Sequence, residues 1–257
     1  MKVTIGGFDG MHVGHQALIQ KADKIIIIEK GSNLTPGEDR CDYTHNECVF
    51  YDLNDIKHLS SEQFITILKS LNTTEVIVGE DFRFGKDRRG DIKTLQKHFN
   101  VHTVKEVKID GIGVHSRIIR DFLKKGDIKN ATKFLGHTYK IKGTHIKGQG
   151  IGSEKLYPTI NIRLTKNYLI PKPGVYISIT NSKKSLTFIG VRSTDGEFSI
   201  ETHILESLPK NEDEIAIEFV EYLRENKKFD TLEKLKKAIE EDIKKAKNYS
   251  FPTIALN

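Results

Sequence analysis

The stretch VTIGGFDGMHVGHQALIQ, residues 3–20, decides how the chain is read. A short apolar run ends on two glycines, and apolar residues at helical spacing follow from Gly14. A strand, a tight turn and a helix are predicted in that order. A helix start carries unpaired N–H groups and a partial positive charge, so it suits an anion. Gly6, Gly7 and Gly10 let backbone approach a phosphate with no Cβ in between. His12 and His15, three residues apart, can both face that spot. An imidazole N–H can bond a phosphoryl oxygen as charge grows there in a transition state. The pattern fits nucleotidyl transfer, in which an oxygen attacks an α-phosphate and pyrophosphate leaves.

Beyond this turn, residues 1–136 alternate apolar runs with helical patterns. IIIIEK (25–30) reads as a strand buried on both faces, and EVIVGE (75–80) as another. SSEQFITILKSL (60–71) is a helix capped by Ser60 or Ser61, and DIKTLQKHF (91–99) one capped by Asp91. VHTVKEVKI (101–109) reads as a strand, and helices follow over 116–127 and 127–136, with Gly136 as a C-cap. Strand–helix–strand order predicts a parallel, Rossmann-like α/β sheet. From Tyr139 to about Leu223 the period changes to two, as in GVYISITN and FSIETHIL, which predicts an antiparallel β-barrel or sandwich. The tail is an amphipathic helix with Leu232, Leu235, Ile239 and Ile243 on one stripe and Asp230 as its cap. The boundary falls near 136–139, giving domains at 1–136 and 137–257.

The chain has 257 residues, 37% hydrophobic and 30% charged, ordinary for a soluble protein. Its longest apolar run, Ile25–Ile28, is far too short to span a membrane. No secretory signal is visible, and two cysteines make no disulfide framework, so a cytoplasmic, reducing setting is expected. The net charge of +6 suits phosphate-bearing ligands. Its lysine-rich helices interleave Glu and Asp, so no nucleic-acid partner is expected. Cys41, His45 and Cys48 form CxxxHxxC, which zinc could use with a fourth ligand such as His58, but the spacing fits no common zinc site and reduced loop cysteines are the default.

GGFDGMHVGHQAL (6–18) resembles the GxFDGxHxGHxxL signature of nucleotidyltransferases, in the form found in bifunctional riboflavin kinase/FAD synthetases of bacteria. Other segments resemble that family in the same order. VGEDFRFGKDRRGD (78–91) is similar to its flavin-side loop, and SRIIRDFLKKGDIKNATKFLG (116–136) to its SxxIRxxLxxGDxxxAxxxLG segment. KGQGIGSEKLYPTINI (147–162) is similar to its glycine loop and PTAN motif. GVY (174–176), IETHIL (200–205) and KKFDTLEKLKKAIEEDIKKA (227–246) match its kinase-domain strands and last helix.

The resemblance implies two Mg²⁺-dependent steps in FAD biosynthesis. The barrel phosphorylates riboflavin with ATP to FMN, and the N-terminal domain adenylylates FMN with a second ATP to FAD. It implies His12, His15 and Arg120 as catalytic on the ATP phosphates, with Gly6, Gly7, Phe8, Asp9 and Ser116 around the nucleotide and Asp9 also orienting the turn. It implies Asp81, Phe82 and Arg83 beside the flavin. In the barrel it implies Gly148, Gly150 and Gly152 as a loop over ATP, and Thr159 and Asn161 as hard oxygen ligands for Mg²⁺ and ATP. Glu201, which the strand alone would make an outward-facing carboxylate, is implied as the general base. The partners implied are small molecules (ATP, riboflavin and FMN) and no membrane; a monomer is the default, with a homo-oligomer left open.

The chain departs from the family at several places. Gly7 stands for an Asn, His115-Ser116-Arg117 for Ser-Ser-Thr, Lys155-Leu156-Tyr157 for Leu-Gly-Phe and Ser193 for a Pro. The linker between IIIIEK and SSEQFI is shorter than the family's. Two alternatives are kept: a single-activity FMN adenylyltransferase with a degenerate barrel, and a flavin- or nucleotide-binding regulator. A general base at Glu201 is of no use to a pure binder.

Overall fold

The computed structural model describes residues 1–146, 157–191, 196–206 and 213–251. It divides into two units, Met1–Ile119 with Phe134–Gly136, and Arg120–Lys133 with His137–Asn257.

The first unit is built on five parallel strands: β1 (Lys2–Gly6), β2 (Lys24–Glu29), β3 (Glu47–Asp52), β4 (Glu75–Gly79) and β5 (Asn100–Val104). Their order is β3-β2-β1-β4-β5. The order reverses between β1 and β4, and open α/β sheets bind ligands beyond the strand C-termini at such a point. Gly6 and Gly79 end those two strands, so the loops that follow both start at that edge. The four isoleucines of β2 explain the layering. Ile26 packs with Val3, Ile5, Phe64 and Leu68 on one face. Ile25 and Ile27 pack with Phe8, Met11 and Ile19 on the other.

Helix α1 (Val13–Ile19) follows β1; α2 (Leu53–Ile56), α3 (Ser61–Ser70) and α4 (Ile92–Gln96) lie further along. Of the two serines expected to cap α3, Ser60 does so. Its Oγ accepts from Gln63 N–H, and the Gln63 side chain accepts from Ser60 N–H, a closed capping box. Asp91 caps α4 as expected.

Three features of this unit correct the sequence reading. Residues 37–52 are not a plain loop: Gly37–Tyr43 winds into a 3₁₀ helix and Glu47–Asp52 adds β3 at the sheet edge. The strand expected over 101–109 stops at Val104, and β6 (Lys108–Ile109) pairs instead with β7 (Ile112–Gly113). Cys41 and Cys48 are paired in a disulfide, with Cα atoms 6.5 Å apart, rather than standing as two reduced thiols. The 3₁₀ turn folds Cys41 back onto the edge strand that carries Cys48.

Helices α5 (Ser116–Lys125) and α6 (Ile128–Leu135) precede the barrel of the second unit. Its strands are β8 (Tyr139–Ile146), β9 (Ile160–Leu164), β10 (Gly174–Thr180), β11 (Lys183–Val191), β12 (Phe198–Ile204) and β13 (Glu214–Arg224). They close in the order β10-β11-β12-β9-β8-β13, so the barrel form is realised rather than a sandwich. Alternation sends Tyr139, Ile141, Tyr176, Ile189, Ile200 and Phe219 into the buried core. Five buried hydroxyls share it. Ser178 bonds Ser185 and Thr187 (both 2.8 Å), Thr180 bonds Ser185 (2.8 Å) and Thr202 (2.9 Å), and Thr187 donates to Thr202 (3.1 Å). The five oxygens form a closed ring, so polar groups that would be costly alone satisfy one another.

Helix α7 (Leu232–Asn248) packs on the barrel through Ile243 and Ala246, against Val175, Ile177, Leu186 and Val220. Two details differ from expectation. Thr231 is the cap, its hydroxyl accepting from Lys234 N–H at 3.3 Å, while Asp230 pairs with the Lys234 ammonium at 3.0 Å. Leu232 is exposed, and the buried face instead includes Asp242, gripped by two nitrogens of Arg224 at 2.6–3.1 Å.

Candidate active sites

The turn after β1 is contorted in the way its glycines suggest. Gly10 adopts φ +88°, and Phe8 and Met11 are also left-handed at +48° and +42°. Such backbone costs non-glycine residues about 1–3 kcal/mol each and clusters at functional sites. Side chains hold it in place. Asp9 Oδ1 accepts from the N–H groups of Leu34 and Thr35 at 2.9 and 3.0 Å. Ser116 Oγ donates to the Asp9 carbonyl at 2.7 Å, so this hydroxyl fastens the turn. A Cβ on Gly7 would meet Lys30 Cε at 3.0 Å. The departure from Asn thus leaves room for a lysine side chain across the turn.

The two histidines meet at the start of α1. His12 is the N-cap: its Nδ1 accepts from His15 N–H at 3.3 Å. An accepting Nδ1 puts the proton of neutral His12 on Nε2. The rings stack 3.5 Å apart at 19°, and Phe8 stands edge-on to His15 at 5.2 Å. Burial, reinforced by the electrostatic influence of the nearby His12, Lys30, Arg40 and His115, holds the His15 imidazole well below its ordinary pKa. His15 Nδ1 is buried with no hydrogen-bond partner among the described residues. Such an atom awaits a ligand or solvent. Gly14, part of the signature but given no role from sequence, has a clear one: a Cβ there would lie 3.2 Å from His12 Nδ1.

The other predicted residues of this domain are less gathered. Phe82 is half-buried on the core and stacks on Phe84 at 5.9 Å. Arg83 is exposed and pairs with Asp91 at 3.3 Å, while Asp81 is exposed beside Gly79. Hydrogen bonds from Thr94, then the charge of Arg83, keep the Asp91 carboxyl below its usual range. Arg120 lies one turn along α5 from Ser116 and falls in the second unit.

In the barrel, the pairing of β9 with β12 sets Asn161 opposite Glu201. Thr159, just before β9, donates to Glu201 Oε2 at 3.4 Å, and Ser199 donates to Oε1 at 2.9 Å. Their strand neighbours Ile160, Ile162, Ile200 and Thr202 point inward, so Thr159, Asn161 and Glu201 share the outer face. His203 on the same face bonds the Pro158 carbonyl at 2.8 Å, and Tyr157 packs edge-on to it. A hydroxyl and an amide oxygen beside a carboxylate are hard donors that fit Mg²⁺ completed by phosphate oxygens. Gly148, Gly150, Gly152, Leu156 and Ser193 lie outside the described residues. The zinc reading of residues 41–48 has no support: both sulfurs are in the disulfide, and among the described residues no group of three His, Cys, Asp or Glu could hold a metal.

An α/β sheet with paired imidazoles at its first turn, and a separate barrel with a hydroxyl–amide–carboxylate group, define a two-module phosphate-transferring enzyme. The family model described as "FAD synthetase" matches residues 1–35 and 41–118, and that described as "Riboflavin kinase" matches 135–250. The bifunctional riboflavin kinase/FMN adenylyltransferase of Pseudomonas fluorescens is 29% identical, over 97% of this chain and 93% of its own. That of Buchnera aphidicola subsp. Schizaphis graminum is 30% identical, over 96% and 93%. The crystal structure of a macrolide-efflux protein from Streptococcus pneumoniae superposes with a TM-score of 0.86 over 97% of this chain and 94% of that one; at 22% identity it shares the fold alone. The chain belongs to the bifunctional riboflavin kinase/FMN adenylyltransferase family, enzymes of FAD biosynthesis.

Proposed function

We propose that the two activities divide between the two modules, each carried by the residues described above. In the N-terminal domain, spanning 1–136, a phosphate oxygen of FMN attacks the α-phosphorus of ATP. The new P–O bond makes FAD, and the bond to the β-phosphate oxygen breaks to release pyrophosphate. His12 Nε2–H donates to phosphoryl oxygens as their charge grows. His15 is neutral before ATP arrives, and phosphate beside its buried Nδ1 raises its proton affinity, so the ring becomes a second donor. Arg120 serves the same phosphates. Gly6, Gly7, Phe8 and Asp9 shape the nucleotide cradle, and Asp81, Phe82 and Arg83 line the flavin side.

In the barrel domain, 137–257, Glu201 takes the proton of the riboflavin 5′-hydroxyl as that oxygen attacks the γ-phosphorus of ATP, and the bond to the β-phosphate oxygen breaks to release ADP and leave FMN. Ser199 and Thr159 hydrogen-bond its two carboxylate oxygens and fix their direction. Thr159 and Asn161 would hold Mg²⁺, which when bound would offset negative charge on the ATP phosphates. Gly148, Gly150 and Gly152 are assigned to nucleotide binding on the resemblance alone. The same reading places the enzyme in the cytoplasm.

The observation that carries this division is that each unit assembles its own motif: stacked His12 and His15 in one, and Thr159, Asn161 and Glu201 in the other. The test is incubation with riboflavin, ATP and Mg²⁺, with FMN and FAD separated by chromatography. His12→Ala stops FAD formation and spares FMN formation. Glu201→Ala stops FMN formation and spares FAD formation from supplied FMN. Loss of both products from either folded variant refutes the division.

A further inference from the structure

Arg40 bears on His15 through its charge, and it is the largest fully buried side chain in the described structure. Its guanidinium reaches three places. Nε donates to the Thr35 carbonyl at 3.0 Å, Nη1 to the Gly7 carbonyl at 2.9 Å, and Nη2 to the Glu29 carboxylate. The other Glu29 oxygen accepts from the N–H groups of Lys30, Gly31 and Ser32 at 2.9–3.1 Å. Thr35 N–H is held by Asp9. Arg40 thus joins the loop after β2 to the turn that carries the histidines.

Two arguments separate this from packing. A buried ion pair gives little net stability, because desolvating both ions offsets their attraction. An apolar side chain would fill the space equally well but could not bond the Gly7 and Thr35 carbonyls. The FAD synthetase family match also breaks at 36–40, so Arg40 lies in a stretch the family model leaves unaligned. The short linker supplies its own brace for the turn.

We propose that Arg40 is a positioning residue of FMN adenylylation: it fixes the Gly7 carbonyl, and with it the Gly6–Asp9 backbone, in the geometry that receives ATP. This rests on the reading that the turn binds ATP. A planar fork is needed, since a lysine ammonium can keep the charge pair with Glu29 but cannot span both carbonyls.

The test uses the full chain and its Arg40→Lys and Arg40→Ala variants. FMN adenylylation is measured against ATP concentration, and riboflavin phosphorylation in the same samples serves as an internal control. Arg40→Lys raises KM for ATP about tenfold, the value of one or two such hydrogen bonds, and leaves kcat within about threefold. Riboflavin phosphorylation is unchanged. Arg40→Ala raises KM further; should it fail to fold, Arg40→Lys alone decides. An unchanged KM in Arg40→Lys beside an active parent overturns the proposal, whether kcat stays or falls. A parent chain that makes no FAD from FMN and ATP overturns the reading of the turn and the proposal together.

Discussion

Gly14 shows how one missing methyl group serves a site. It lies in α1, where alanine is the better helix former by about 1 kcal/mol. A methyl group there would press on the ring of His12. Gly14→Ala is therefore expected to leave the unfolding temperature unchanged or slightly raised while cutting FAD formation about tenfold or more. Thermal unfolding and the chromatographic assay on one sample check both halves. His15 sets a pH dependence. Its folded pKa lies below the ordinary 6.5, so between those two values the folded state binds fewer protons than the unfolded one. Its contribution to stability is complete above about pH 6.5 and is lost as pH falls towards the folded pKa. Unfolding midpoints should drop with acid across that window, and His15→Asn should flatten the drop. An equal slope in the variant would assign the effect elsewhere.

At the scale of elements, Asp242 ties α7 to β13 through Arg224. Removing one partner of a buried pair leaves an uncompensated charge, at a cost of about 3–5 kcal/mol. Asp242→Ala should lower the barrel's stability by about that much, read in urea unfolding. The same helix marks what the sequence withheld. Period-3.6 spacing announced an amphipathic helix from Leu232 onward, but no periodicity says that an aspartate is its most buried polar residue. The strands at 25–28 and 75–79 were legible because both their faces are covered, and their apolar runs are unbroken. β3 was not, since at the sheet edge it is only half-buried and its ECVFYD looks like loop. The histidine turn was legible from its glycines. Arg40 was not, because a lone arginine in a polar loop reads as solvated, and only the fold brings it under Gly7.

At the scale of the whole molecule, the two motifs sit in separate units of one chain. If each does its own chemistry, FMN released by one copy can serve another. A mixture of the His12→Ala and Glu201→Ala chains should then make FAD from riboflavin, though neither does alone; product analysis of the mixture decides. The five hydroxyls of the barrel core have a bearing on where its half of that work happens. The five oxygens bond one another in a closed circuit, and Thr202 Oγ1 also reaches the Leu186 carbonyl at 3.4 Å. With these hydroxyls already partnered among themselves, the barrel interior is filled, and a ligand site is expected on the outer face that carries Thr159, Asn161 and Glu201.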